Sequence, residues 1–445
     1  MDDLLAARSQ MALSLGFHII FACIGMVMPF LMAISHFIYL KTGKPVYKVL
    51  TKAWSKGVAI FFVTGAVSGT MLSFELGLLW PNFMKEAGPI FGMPFSLEGT
   101  AFFIEAIALG FFLYGWGKFN PWFHWFTGVV VGLSGVASGI LVVAANAWMN
   151  APTGFDIVEG IYTNIDPIAA MFNEAWFSQA LHMVLAAFIA VGFSVAGVHA
   201  WMLRQGKSTE VHLPALKIAM VIGAVSALLM PLSGHHSAKD VANRQPAKLA
   251  AMEAHFHTET HAPLIIGGIP NEETQTVSFA IRIPGALSYL AHSDFAAEVT
   301  GLADIPKDEH PPVAITHYAF QVMVGIGMLL ALAGLAWLLG QWRSAKFVSS
   351  RWFMTLLAAL TPLGFIAVEA GWVVTEVGRQ PWILYRIMRT ADAVTPMPGI
   401  VYSFWLYVAI YLSLAAIVSL LIVRQIKSLD KAAELFPPQN ITSHG

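Results

Sequence analysis

The sequence predicts an all-α integral membrane protein: a bundle of about nine transmembrane helices with one long extracytoplasmic loop between helices six and seven. Three observations predict it. Hydrophobic residues make up 57% of the 445 and charged residues only 11%, whereas soluble domains carry about 25% charged residues. Apolar stretches long enough to cross about 30 Å of hydrocarbon recur along the chain. The lysines and arginines between them gather in every second connection.

The apolar stretches lie near residues 12–40, 56–80, 98–118, 123–148, 177–203, 216–234, 313–340, 353–377 and 400–424. In lipid, a segment of this length satisfies its own backbone only as a helix. The two-residue alternation of a membrane-barrel strand is missing from all of them. Lys41, Lys44, Lys48, Lys52 and Lys56 separate the first two spans. Arg204, Lys207 and Lys217 separate the fifth and sixth; Arg343, Lys346 and Arg351 the seventh and eighth; Arg424, Lys427 and Lys431 follow the ninth. The positive-inside rule makes this side cytoplasmic and puts the N-terminus outside. The outer loop 151–174 is acidic, with Asp156, Glu159, Asp166 and Glu174. Met1–Gln10 holds Asp2 and Asp3 instead of a basic n-region, so no removable signal peptide is expected. The organisation is then 1–234 with helices one to six, 235–312 as the extracytoplasmic loop, and 313–445 with helices seven to nine and a cytoplasmic tail. A connection as long as 235–312 without strong periodicity is functional or disordered.

Net charge is −1, so no basic excess points to nucleic acid. The single cysteine, Cys23, excludes an intramolecular disulfide framework, a four-cysteine iron–sulfur site and covalent CxxCH haem. Any cofactor would have to be held by histidine, methionine or carboxylate.

A charged side chain at mid-bilayer costs roughly 2.5–3.5 kcal/mol on insertion scales, so each needs a partner or a task. His18, near the start of the first span, and His182, in the first turns of the fifth, each serve either as a hydrogen-bonded histidine or as a haem ligand. Glu98 and Glu105 share one helical face, which suits proton conduction or a metal or haem environment; a pair of carboxylates protonated by desolvation is the competing reading, compatible with the first. Glu75 reads as an interfacial carboxylate. The densest pattern is Val-Glu-Ala-Gly-Trp-Val-Val-Thr-Glu-Val-Gly-Arg-Gln-Pro-Trp, residues 368–382. Its Glu369, Trp372, Glu376 and Arg379 form one stripe carrying two acids and a base, where a packing stripe would be apolar. Arg379, Arg386 and Arg389 stand on the outer side, as ordinary outside arginines or as partners of buried anions. Met323, taken alone, is core filler. His235 and His236 read as interfacial, because no further membrane histidines complete a copper set.

Glu-Val-Gly-Arg-Gln-Pro-Trp (376–382) after Glu-Ala-Gly-Trp, with Lys-Leu-Ala-Ala-Met-Glu-Ala (248–254) in the outer loop, closely resembles subunit I of cytochrome bd-type ubiquinol/menaquinol oxidases. Gly-Phe-His in the first helix, Glu-Gly-Thr-Ala-Phe-Phe-Ile-Glu (98–105) and Ala-Asn-Ala-Trp-Met-Asn-Ala-Pro (145–152) support the match, which runs over essentially the whole chain.

The resemblance implies a multi-pass subunit of the bacterial cytoplasmic (inner) membrane that oxidises quinol at the outer face. It reduces O2 to water with cytoplasmic protons and so generates proton motive force. The implied cofactors are a low-spin haem b, a high-spin haem b, and haem d or a further haem b in its place. By the same resemblance His182 and Met323 ligate the low-spin iron, a pair that raises its potential. His18 ligates one high-spin haem with Glu98 on its other side, and Glu376 ligates the other. Lys248 and Glu253 match loop residues of quinol oxidation. Glu105, with Asn146 as a weaker match, lies on the proton route, and Trp372 and Arg379 pack between and pair with the haems. The implied partners are subunit II, a small single-helix subunit, and membrane lipid. Gln321 stands where many members carry arginine near the low-spin haem; losing that cation weakens propionate pairing and lowers the potential. This, with Phe-Glu-Leu-Gly-Leu-Leu-Trp-Pro (74–81), resembles the short-loop, cyanide-insensitive branch.

Three other readings compete, one of them a passive membrane anchor for a redox partner, which would leave the 368–382 stripe unexplained. A haem–copper oxidase subunit would need a copper-ligating histidine set. A proton-coupled transporter would account for intramembrane Glu and His but would carry internal repeats and helices broken near the midplane.

Overall fold

The computed structural model describes residues 1–433. Among them, nine helices are long and apolar enough to cross a membrane. In chain order they are α1 (Asp3–Thr42), α2 (Pro45–Leu79), α3 (Pro81–Tyr114), α4 (Pro121–Asn150), α5 (Trp176–Arg204) and α6 (Thr209–Arg244), then, after the outer loop, α9 (Val313–Arg343), the pair α10 (Arg351–Leu360) and α11 (Leu363–Val377), and α12 (Ile400–Ala433). The outer loop contributes α7 (Pro246–Glu253) and α8 (Ala286–His292).

Local chemistry sets the ends. Asp2 caps α1 by accepting from the Leu5 amide at 2.7 Å, and Gly43, at φ 67°, closes it in the left-handed conformation that glycine adopts without strain. Proline opens α2, α3, α4 and α7, where its missing N–H would have had no partner. At Thr361-Pro362 the eighth span divides into α10 and α11, because proline supplies no amide to the helical ladder.

The helices outrun their apolar runs. α3 begins at Pro81, well before residue 98, because its first turns carry Lys85, Glu86 and two prolines that lower its hydropathy. α6 continues past 234 through His235 and His236 to Arg244, its last turns polar and standing out of the apolar layer.

The core forms where α1, α5 and α6 converge, around Leu31, Met32, Phe193, Leu216 and Met220. Small residues allow the close approach that membrane helices use instead of hydrophobic drive. A Cβ on Gly192 of α5 would lie 2.6 Å from the Gly223 Cα of α6, and one on Gly364 of α11 would lie 2.5 Å from the Ala190 Cα. By contrast α12 lies at the edge, with only 11% of its most apolar window buried.

On the outer side, α7 packs on α9 and α6. Acidic loop 151–174 holds a short hairpin, β1 (Asp156–Val158) with β2 (Ile161–Thr163). A longer hairpin, β3 (Leu264–Asn271) with β4 (Thr276–Ile283), pairs Leu264 with Ile283 and Asn271 with Thr276 and rests on α9. The chain after α11 forms β5 (Trp382–Leu384) and β6 (Met388–Arg389).

Gly192→Val should push α5 off α6. Overpacking of this kind costs about 1–3 kcal/mol, so a lower melting temperature of the purified protein is expected; an unchanged one would show that the contact has room to give.

Candidate functional site

The stripe at the end of α11 leads into a continuous line of polar side chains. Arg379 Nη2 donates to Glu376 Oε2 at 2.6 Å. Asn146 Nδ2, from α4, donates to the other Glu376 oxygen. One turn along α4, Asn150 Nδ2 donates to Asn146 Oδ1 at 3.1 Å, and Asn150 Oδ1 accepts from Lys248 Nζ of α7 at 2.7 Å. Gln245 closes the far end, donating to the Asn150 backbone oxygen at 3.0 Å. The line therefore runs from a carboxylate at the end of a membrane helix to a lysine in the outer loop. Each member meets the next through a hydrogen bond.

Arg379 is 2% exposed, and its Nε and Nη1 have no protein partner. A buried guanidinium with two free donors fits an anionic group such as a haem propionate. The other two outer arginines are accounted for by protein contacts: Arg389 pairs with Asp308 at 2.6 Å and lies over Trp382, and Arg386 lies over Tyr385.

The two histidines share one arrangement. His18 of α1 sets Nδ1 2.9 Å from Ser68 Oγ of α2, and His182 of α5 sets Nδ1 3.3 Å from Ser233 Oγ of α6. Each serine fixes one ring nitrogen and leaves Nε2 to point elsewhere, which is how a protein orients an imidazole for a metal. Glycines make the space: a Cβ on Gly69 would be 3.1 Å from the His18 ring, and one on Gly371 of α11 would be 3.1 Å from Met323 Sδ. Imidazole, thioether and carboxylate inside a helix bundle are a donor set suited to haem iron.

Glu98 accepts from Ser138 of α4 at 2.8 Å. Glu105 is 6% exposed, and a Cβ on Gly135 would lie 3.5 Å from its Oε2, so it sits between α3 and α4. No hydrogen bond or ion pair joins this pair to Glu376 among the described residues. Gln321 commits its amide to the hairpin: Oε1 accepts from the Gly267 amide at 3.0 Å and Nε2 donates to the Ile265 oxygen at 2.9 Å. Trp372 is half-buried against the main core.

In the outer loop, Lys248 and Glu253 are 4% and 0% exposed. Burial, reinforced by Arg379 and opposed in part by Glu376, drives the Lys248 amine well below its ordinary range. Burial pushes the Glu253 carboxyl up to about 8, the Ile265 backbone offsetting only part of the rise. Both groups are thus moved toward their uncharged forms, as proton-exchanging residues are.

Glu75, near the outer end of α2, is 1% exposed and accepts from Gln10 at 2.9 Å and Ser14 at 2.8 Å, both of α1. Asn150 joins the polar line although only Asn146 was singled out; the four-residue spacing of the two asparagines was the available signal.

Fold and site together define a multi-pass membrane protein with an intramembrane donor set suited to haem. The model of the family "Cytochrome bd terminal oxidase subunit I" matches residues 6–429. The chain is 39% identical to the bd oxidase of Geobacillus thermodenitrificans, with a TM-score of 0.91 over 96% of this chain and 99% of that one. It is 38% identical over 424 residues, 94% of this chain and 95% of the other, to a Bacillus subtilis protein provisionally described as a cytochrome bd menaquinol oxidase subunit I. It is 31% identical over 444 residues, 96% and 94% of the two chains, to the Bacillus subtilis cytochrome bd ubiquinol oxidase subunit 1. The chain belongs to the cytochrome bd terminal oxidase subunit I family.

If the line organises the Glu376 end, Asn150→Ala should remove the Lys248 acceptor and leave a buried amine unpaired, at about 1–3 kcal/mol. The expected result is faster proteolysis of the 246–253 segment; unchanged cleavage would show that Lys248 is held by other groups.

Proposed function

We propose that this chain is the haem-bearing subunit of a terminal quinol oxidase in the bacterial cytoplasmic membrane, N-terminus outside. It takes electrons from quinol at the outer face and reduces O2 to water with protons from the cytoplasm. The observation that carries the reading is the polar line from Glu376 to Lys248, which ties one candidate iron ligand, Glu376, to the outer loop. Oxidases of this family work with subunit II, and the exposed apolar residues of α2, α3 and α12 are the surface available to it, to a small single-helix subunit, and to lipid.

Haem, when bound, supplies the electron relay and the iron that reduces O2. His182 and Met323 would hold a low-spin haem b, their histidine–methionine chemistry favouring electron acceptance. His18 with Glu98, and Glu376, would hold two high-spin haems, one b and the other d or a further b. Trp372 would pack between them, and Arg379 would bind a propionate through its free donors. Gln321, with its amide on the hairpin, offers no cation to the low-spin group.

The chain's own residues would handle protons. An uncharged Lys248 amine has a lone pair for a quinol hydroxyl, and Glu253 becomes a second acceptor once ionised. Two quinols yield four electrons and four protons, the protons leaving outward. Glu105 and Glu98, aligned on α3, would carry cytoplasmic protons inward. Charge is separated because release and uptake occur on opposite faces.

Glu253 is protonated below about pH 8 and ionised above it, so quinol kcat/KM should rise with pH through that value. Glu253→Gln should flatten the rise, and a variant that keeps it would remove Glu253 from the proton step. His182→Ala in the assembled oxidase should lose the low-spin b spectrum and quinol oxidation, whereas an unchanged spectrum refutes the ligand assignment. Lys248→Ala should raise the quinol KM about tenfold, the value of one strong hydrogen bond; normal quinol kinetics refute the loop assignment.

A further inference from the structure

One loop gathers cations from three elements. Residues 115–120 join α3 to α4, and His36 of α1 and His124 of α4 pack Trp116 of that loop with ring centres 5.1 and 4.6 Å away. Lys52 of α2 lies over Trp116, its ammonium 5.1 Å from the ring centre. Lys41, in the last turn of α1, lies 5.2 Å from the ring of Trp122 in α4 and 5.7 Å from that of Phe37. Lys118 stands exposed in the loop between the two tryptophans. Neither residues 33–60 nor residues 111–126 hold an Asp or Glu. Among the described residues, no carboxylate comes within ion-pair distance of these lysines; Asp430, at the end of α12, is paired with Lys207 at 2.5 Å. The positive-inside rule asks for lysines at this boundary but not for their convergence. Like charges gathered without a counter-charge repel, so an anion placed among them is favoured.

The surface beside these cations is apolar. Ile34, Phe37 and Lys41 fall at i, i+3 and i+7 on one face of α1, and Trp122 and Phe126 stand one turn apart on α4. All four apolar side chains are exposed. Phe37 meets Trp122 and Trp125 with ring centres 6.1 and 5.7 Å apart. Trp125 Nε1 donates to the Ala33 oxygen at 3.1 Å, which fixes the two helices side by side. Ammonium groups therefore stand at the helix ends, with exposed rings a turn further into the membrane. A free phosphate would use only the first of these features. An anionic lipid uses both.

We propose that loop 115–120 and the helix ends around it form a binding site for an anionic phospholipid. Lys41, Lys52 and Lys118 draw its phosphate, and an acyl chain lies along Phe37, Trp122 and Phe126. Basic clusters at the ends of membrane helices attract such head groups, and here stacked rings hold two of the ammonium groups in place. The site is separate from the candidate haem ligands and from the outer loop, so it stands independently of the quinol reading.

The test is native mass spectrometry of the assembled oxidase, titrated with dioleoyl phosphatidylglycerol or dioleoyl phosphatidylcholine. The triple variant Lys41→Gln, Lys52→Gln, Lys118→Gln is measured alongside. One lysine near an anionic lipid surface is worth about fivefold in affinity. The tightest phosphatidylglycerol site should therefore weaken at least about fivefold in the variant, with phosphatidylcholine binding and the reduced-haem spectrum retained. Equal affinity for the two lipids in the native protein overturns the site, and this arm needs no variant. A preference that survives the triple variant overturns its location. An equal loss in Arg424→Gln, Lys427→Gln, Lys431→Gln, which removes the same charge from the end of α12, overturns it too, since net charge alone would then be read. If soluble glycerophosphoglycerol at equal ionic strength displaces the lipid mole for mole, the apolar face contributes nothing and the lipid assignment fails.

Discussion

Polar groups placed where there is no water must be answered by other protein groups, and one line of them organises this molecule. Glu376, Asn146, Asn150 and Lys248 come from the end of α11, from α4 and from α7, and each meets the next through a hydrogen bond. Without the line, the buried Lys248 amine would lose its Asn150 acceptor, at about 1–3 kcal/mol. With it, the outer loop is joined to the membrane helices at a fixed place, and the candidate iron ligand and quinol residues are mechanically linked. Arg379 anchors the inner end and still has two donors left over.

Packing makes room for that arrangement. Gly192 and Gly364 bring α5 close to α6 and α11, while Gly69 and Gly371 leave space beside His18 and Met323. Small residues therefore act in two ways here: some close helices together, and others keep donor atoms clear. The serines beside His18 and His182 complete the second function by orienting the rings.

Much of the fold was legible because hydropathy reports lipid contact directly: nine spans follow from the apolar runs, and the same nine are found among the described residues. What hydropathy does not report is helix standing in polar surroundings or crossed by proline, so the first turns of α3 and the last of α6 were hidden. Individual residues divide in the same way. The Glu369, Trp372 and Glu376 stripe was visible because its spacing lies within one helix, and Arg379 stands two residues past that helix's end at Val377. The partners of Glu75, Gln10 and Ser14, are on another helix and so give no signal in its own segment. The roles of His18, His182 and Met323 came from family resemblance; their spacing alone left a structural role open.

The central claim is that these intramembrane donors hold haem iron. A dithionite-reduced minus oxidised spectrum of the purified oxidase, together with its iron content, tests this most directly. The account predicts reduced b-haem bands and iron bound as porphyrin or chlorin in amounts matching the ligand sets. A colourless, iron-free complex with intact subunits would contradict it.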